Sequence, residues 1–254
     1  MTDDVIKILK VEKTKHLYIV TTTENEYKVD EDTIIKHFIV KDKEFTKAEF
    51  KKVLNDLELN KMFNKALKYL AYGERSEYEM IKYLNDVSNS SKVIKKLKTL
   101  GYLDDLKYAS KYLDYCFRSN KGPIYCKSKF IEKGIDNKII DEVISHYTFE
   151  MQKEGITNII NKELKVNEKI PAMAIKRRLI SKLIRNGFNS EMIYEIINTI
   201  TIEDNSDDNL KKDYTKQLVK LANKEISDYE KKQRIIAYLL NKGYEYKKIS
   251  EIVE

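Results

Sequence analysis

Arg178, Lys182 and Arg185 stand four and three residues apart in the segment Lys176-Arg177-Arg178-Leu179-Ile180-Ser181-Lys182-Leu183-Ile184-Arg185. Side chains at that spacing share one face of a helix. Ile175, Leu179, Ile180, Leu183 and Ile184 fill the other half of the wheel. Guanidinium and ammonium groups bind phosphates or carboxylates, and arginine's planar fork suits both. Lys176 and Arg177 belong to the same predicted helix. Lys129 and Lys133 form a shorter pair four residues apart with Lys127 nearby, and Lys231, Lys232 and Arg234 form a third group. All of these are candidate contacts with a nucleic-acid backbone or an acidic protein surface.

The residues that make or break bonds in enzymes are not arranged for it. His16, His37 and His146 are scattered, and no HExxH or metal-spaced Cys/His cluster occurs. There is no GxxxxGK[ST] phosphate loop, no GxGxxG and no GxSxG. Asp104-Asp105 has the chemistry to hold Mg²⁺, but it follows Gly101-Tyr102-Leu103 and precedes an amphipathic stretch, so helix capping is its expected role. Cys116 and Cys126 form no CxxC, and two cysteines make no disulfide framework for a chain of 254 residues. Neither an enzyme nor a cofactor is expected.

The net charge of +7 is uneven: −2 over residues 1–60, +5 over 61–150, +4 over 151–202 and 0 over 203–254. A basic middle between neutral ends fits a polyanionic partner. The start, Met1-Thr2-Asp3-Asp4, leads into no apolar signal region, and no apolar run is long enough to span a bilayer. A cytoplasmic monomer with no membrane contact is the expectation. Most of the 18 tyrosines, Tyr69, Tyr72, Tyr78, Tyr83, Tyr108, Tyr112 and Tyr115 among them, fall at helical spacing and are expected in or near the core rather than stacked on bases.

Two kinds of element must position the basic groups. Val5–Val11, His16–Val20 and Glu26–Val29 read as strands, rich in β-branched and aromatic residues. A short helix over 30–38 follows, then a connection at Lys41-Asp42-Lys43. A helix capped by Thr46 and Glu49 runs to about Leu57. After that the chain is helical and repetitive. A helix end, Gly, a bulky apolar residue, a short polar stretch and a second helix recur around Gly134, Gly187 and Gly243. A degenerate copy, Tyr83–Val93, has Val87 at the Gly position. The Gly is expected to end its helix in a left-handed cap, and Asp136 and Asn189 to start the next. Ser76 with Glu79 and Ser227 with Glu230 have capping-box spacing, and Pro123 and Pro171 suit a first helical position. The expected architecture is mainly α: tandem three-helix repeats in an elongated curved array behind a small β-rich module. The predicted divisions are 1–60 for the leader and linking helix, then repeats over 61–103, 104–148, 149–202 and 203–254.

Ala66-Leu67-Lys68-Tyr69-Leu70-Ala71, Arg75-Ser76-Glu77-Tyr78-Glu79-Met80 and Leu100-Gly101-Tyr102-Leu103-Asp104-Asp105-Leu106-Lys107-Tyr108-Ala109 together resemble the opening repeat of RecX regulatory proteins. Lys121-Gly122-Pro123-Ile124 and Lys133-Gly134-Ile135 extend the resemblance, and Val29–Ile35 ends a leader similar to that of the longer members. The likeness spans nearly the whole chain and is strongest over 66–135. It departs from the family at Gly73-Glu74 and at Val87. The resemblance implies tandem three-helix repeats and no enzymatic activity. It also implies a protein that binds the RecA recombinase filament on single-stranded DNA and restrains its growth, ATP hydrolysis and strand exchange. Arg75, Ser76, Glu79, Gly101, Asp105 and Gly134 match family motif positions and read as caps, turns and inter-helix pairs. A second reading is a general single-stranded-DNA-binding repeat protein without RecA specificity. On either reading the basic groups of these helices, from Lys127 to Arg234, would meet DNA phosphates or acidic filament side chains.

Overall fold

The computed structural model describes residues 5–85, 87–167 and 169–253, with only the backbone of Val87 and Ser88. The acidic start Met1–Asp4, and Asp86 of the degenerate repeat copy, lie outside the described residues. The chain divides into two compact units: residues up to Tyr108 with Lys133–Ile135, and Ala109–Glu132 with everything from Asp136 on.

The first unit opens with β1 (Val5–Lys13), β2 (Tyr18–Thr22) and β3 (Glu26–Val29). Helix α1 (Glu31–His37) follows, then β4 (Glu44–Thr46). The antiparallel sheet has the order β3-β2-β1-β4, with a register shift between Ile8 and Lys10. The strand β4 follows the predicted connection Lys41–Lys43 and includes the predicted cap Thr46, a stretch with no expected strand because three residues are too few to show alternation. Asp30 starts α1, its carboxylate accepting from the Thr33 N–H at 2.9 Å. Thr46 and Glu49 form the full capping box that starts α2 (Lys47–Ala71).

That helix does not stop at Leu57. It runs unbroken through the expected boundary at residue 60, because no Gly or Pro interrupts it and it serves two cores. Its first half lays Phe50, Val53 and Leu57 on Ile6, Ile8, Val20, Val29 and Phe45 of the sheet. Its second half brings Ala66 against Met80 and Leu84 of α3 (Glu77–Leu84) and Val93, Ile94 and Leu97 of α4 (Val87–Thr99). The left-handed cap of α3 is Asn85, at φ 51°, and not Val87, which is already the first residue of α4. Asparagine tolerates this backbone where a β-branched valine does not.

The second unit carries most of α5 (Asp105–Arg118), with α6 (Pro123–Glu132) and α7 (Asn137–Ser145). Next, α8 (Phe149–Val166), α9 (Ala172–Arg185) and α10 (Ser190–Thr199) surround Ile156, Leu179, Leu183, Phe188 and Ile193. Last, α11 (Asp207–Ala222), α12 (Asp228–Lys242) and α13 (Tyr246–Val253) surround Leu210, Leu221, Ile235, Leu239 and Ile249. Asp136, Asn189 and Ser227 cap their helices as their sequence positions require. Pro123 is the first residue of α6, whereas Pro171 sits one place earlier, as the N-cap of α9. Tandem three-helix repeats behind a small β-rich module are thus the observed architecture.

The repeat glycines do more than end helices. Gly187 sits at φ 80°, its N–H donating to Ile184 O while Phe188 N–H donates to Leu183 O. This wraps the last turn of α9 and buries Phe188. The same loop reaches the N-terminus of α6, one repeat earlier. Gly122 N–H donates to Asn186 O at 2.7 Å, and Ile124 N–H to Gly187 O at 3.1 Å. Helix N-termini have N–H groups without intrahelical partners, and these carbonyls satisfy them. A Cβ on Gly187 would lie 2.3 Å from Tyr125 N. Equivalent loops make equivalent contacts: a Cβ on Gly134 would meet the Tyr78 ring on α3, and one on Gly243 would meet Ala174 N on α9. Gly101, which ends α4, is also left-handed at φ 73°, but nothing lies within 4 Å of its Cβ position.

This contrast sets a stability test. Gly101→Ala carries only the left-handed backbone penalty, about 1 kcal/mol. Gly187→Ala adds a clash with backbone that has no room to yield, and should cost about 3 kcal/mol. Urea unfolding of the two variants measures the difference; equal losses would show that the inter-repeat contact carries no weight.

Candidate functional site

The sequence places its strongest basic face on α9, and there the structure shows a specific arrangement. Glu163 of α8 lies at the 156, 159, 160, 163 spacing of an apolar helix face, and its side chain is only 5% exposed. Arg178 Nε meets one carboxylate oxygen at 2.7 Å and Lys182 Nζ the other at 2.5 Å. Asn167 Nδ2 donates to Glu163 Oε1 at 3.0 Å, and Arg178 Nη1 donates to Asn167 Oδ1 at 3.2 Å. The Lys182 hydrogen bond and charge, then Arg178, hold the Glu163 carboxyl below the usual carboxylate range, against the opposing effect of burial. Two of the three stripe residues therefore lock α9 to α8. Arg185, whose Nε donates to Ser181 O of its own helix, remains exposed.

The other candidates are distributed in the same way. Arg177 Nη1 donates to Asn241 O near the end of α12 at 3.3 Å, so it belongs to an inter-repeat contact. Lys133 pairs with Glu79, whose other oxygen accepts from the Ser76 N–H; Ser76 Oγ in turn donates to Lys133 O at 2.7 Å. Lys127 pairs with Asp141 at 3.4 Å and Lys129 with Glu132 at 2.6 Å. Lys231 pairs with Asp228 at 3.6 Å and Arg234 with Glu230 at 2.7 Å. These four pairs involve solvent-exposed partners and hold their cations weakly. Lys232 is exposed and Lys176 half-buried. The eleven candidates thus divide. Arg177, Arg178, Lys182 and Lys133 hold structure together, Lys127, Arg185, Lys232 and Arg234 are exposed, and Lys129, Lys176 and Lys231 are half-buried.

The acidic and histidine candidates have structural work as well. Asp104 Oδ1 accepts from Lys107 N–H at 2.9 Å and starts α5, as capping requires. Asp105 Oδ1 accepts from Glu77 N–H at 2.8 Å, at the start of α3, and burial pushes its carboxyl up. His37 Nε2 lies 2.8 Å from Asp56 Oδ2. Among the described residues no group of three His, Cys, Asp or Glu is placed to hold a metal. Also among the described residues, no helix is long and apolar enough to cross a membrane.

A β-rich leader followed by repeats joined cap to helix defines a helical-repeat protein with a basic surface. Curated relatives match it end to end. Regulatory protein RecX of Streptococcus agalactiae serotype V is 32% identical over 254 residues, covering 96% of this chain and 97% of the relative. Regulatory protein RecX of Streptococcus gordonii is 29% identical over 257 residues, covering 98% of each. A crystal structure of regulatory protein RecX superposes over 77% of this chain and all of its own, with TM-score 0.62 and 24% identity, a likeness of fold. The structure of RecX from Lactobacillus salivarius covers 56% of this chain and 97% of its own, with TM-score 0.50 and 25% identity. No protein-family model matches. The chain belongs to the RecX regulatory protein family.

Glu163 gives a prediction with a sign. A depressed carboxyl contributes stability that is complete above its unfolded value of about 4.3 and lost as pH falls through the folded value. Glu163→Gln should therefore flatten part of the loss of stability seen below that pH, measured by urea unfolding between pH 3 and pH 7 (a test range of about four pH units). Arg178→Glu with Lys182→Glu should cost about 3 kcal/mol or more at neutral pH, since it leaves a buried carboxylate beside two more. An acid limb unchanged in Glu163→Gln would remove the buried carboxylate from that account.

Proposed function

We propose that this protein is a regulator of the RecA recombinase filament. It binds the filament on single-stranded DNA and inhibits filament growth, ATP hydrolysis and strand exchange. In the cell this would modulate recombination and DNA repair from the cytoplasm. The end-to-end likeness to proteins named regulatory protein RecX is the observation that carries the reading. Physically, the chain offers what such a role needs. The loop after α9 is joined to the start of α6 through backbone, and exposed cations stand on α6, α9 and α12.

In this reading Arg185, Lys232, Lys127, Lys129, Lys231 and Arg234 meet DNA phosphates or acidic filament side chains, with Lys176 beside them. Arg177, Arg178, Lys182 and Lys133 act by holding those surfaces in place. Binding across neighbouring RecA protomers shifts the filament only by its differential affinity for the two filament states. Inhibition therefore requires tighter binding to the state that disassembles or stops growing.

RecA's ATPase rate on single-stranded DNA, with this protein titrated in, tests the proposal. Inhibition at substoichiometric protein that survives excess DNA is the expected result. Inhibition that vanishes when DNA is in excess means competition for the strand, the behaviour of a general single-strand binder. Arg185→Glu with Lys232→Glu should keep the fold and weaken inhibition. If both residues contact phosphates, the log–log salt slope of binding should fall by about 2. Unchanged inhibition by that folded variant would remove these two groups from the interface.

A further inference from the structure

The chain has two cysteines, and the fold brings them together. Cys116 is in the last turn of α5 and Cys126 in the first turns of α6; both are fully buried, and their thiols are hydrogen-bond partners. The turn between them fixes both backbones. Lys121 N–H donates to Cys116 O at 2.8 Å, and Cys126 N–H donates to Gly122 O at 3.2 Å. Asn120 takes a left-handed φ of 50° to close the turn. Tyr112, whose ring meets that of Phe130 edge to face at 5.7 Å, lies close enough to both thiols to interact with them.

We propose that Cys116 and Cys126 form a reversible redox site, in which a two-electron oxidant of the hydroperoxide class converts the pair to an intramolecular disulfide that staples α5 to α6. The two thiols are unequal. Cys126 S–H donates to the Cys116 sulfur, which draws the Cys116 thiol down with help from the Lys121 charge and pushes the Cys126 thiol up. Cys116 is therefore the first nucleophile. Its sulfur attacks one peroxide oxygen, the O–O bond breaks, and a sulfenic acid forms as the thiol proton leaves with the other oxygen as water or alcohol. The Cys126 sulfur then attacks that sulfur. The S–S bond forms, and hydroxide departs with the Cys126 proton as water. Two thiols are oxidised and one peroxide is reduced, and a dithiol reductant reverses the exchange.

The staple acts on an inter-repeat contact. The same turn carries Gly122, whose N–H holds Asn186 O, and Lys121, whose Nζ donates to Asn186 Oδ1 at 2.7 Å. Closing the loop between α5 and α6 stiffens the surface on which the Gly187 loop rests. Because both sulfurs are buried, the oxidant reaches them through local opening, and the neighbouring thiol then captures the sulfenic acid before it oxidises further. The inference stands apart from the RecA reading.

The test treats the full chain with hydrogen peroxide, then denatures and alkylates it. The expected product is a monomer with neither cysteine alkylated, a Cys116–Cys126 linked peptide on digestion, and both thiols restored by dithiothreitol. Its Tm should rise by about 5 °C. Cys126→Ser should stop at a sulfenic acid on Cys116 that dimedone traps, and Cys116→Ser should react more slowly. Two fully alkylated thiols, disulfide-linked dimers, or sulfinic acid as the main product would overturn the proposal.

Discussion

A helix N-terminus holds N–H groups that no residue of its own helix can satisfy, and at α6 the main-chain carbonyls of the following repeat's cap supply the partners. Two further contacts of a main-chain carbonyl with an earlier helix follow the same order with other donors. Asn186 O and Gly187 O meet the start of α6, Lys133 O meets Ser76 at the start of α3, and Asn241 O meets Arg177 of α9. The carbonyls are turned toward their donors by a left-handed cap, and the cap must lack a side chain because the receiving helix stands where a Cβ would be. Gly101 has the same backbone and no such neighbour, and the apolar residue after it, Tyr102, is exposed rather than buried. The left-handed cap is therefore the general device, and close approach of a second helix is the particular use made of it.

The second constraint is the burial of Glu163. A carboxylate among Ile156, Ile159 and Ile160 is costly unless its oxygens are occupied, and Arg178, Lys182 and Asn167 occupy them. Half-exposed cations that look available on a helical wheel are thereby committed. The same holds for Lys133, held by Glu79 within a capping box. A binding surface can use only the charge that remains after such pairs are formed, and here the remainder is carried mainly by residues at exposed helix positions such as Arg185 and Lys232.

Much of this was legible in the sequence, for identifiable reasons. Strands β1 to β3, the caps at Thr46, Ser76, Asp136 and Asn189, and the left-handed Gly134, Gly187 and Gly243 all follow from local rules that act within four residues. The continuity of α2 was not legible as a two-core helix, because periodicity does not show which half of a helix serves which neighbour. The Asn85 cap is hidden by the repeat pattern, which puts Val87 at the glycine position. Glu163 carried a readable signal, a charge in the middle of an apolar stripe, and the pairing of the α9 cations follows from it. The meeting of Cys116 with Cys126 depends on how α5 and α6 are turned against each other, which no spacing in the sequence fixes.

The three inter-repeat contacts use different donors: a serine hydroxyl at Ser76, backbone N–H groups at Gly122 and Ile124, and a guanidinium at Arg177. Their acceptors are all main-chain carbonyls, which every residue type possesses. A joint built this way demands one glycine and a capped helix start, and leaves the surrounding side chains free to change. That is a physical reason why a relative sharing 32% of its residues can match from end to end, since the specification of the repeat order lies in backbone geometry. It also separates two tasks on α9. Arg177 joins α9 to the end of α12 and Arg178 and Lys182 anchor α9 to α8, so the surface charge at Arg185 can change without disturbing how the protein is built.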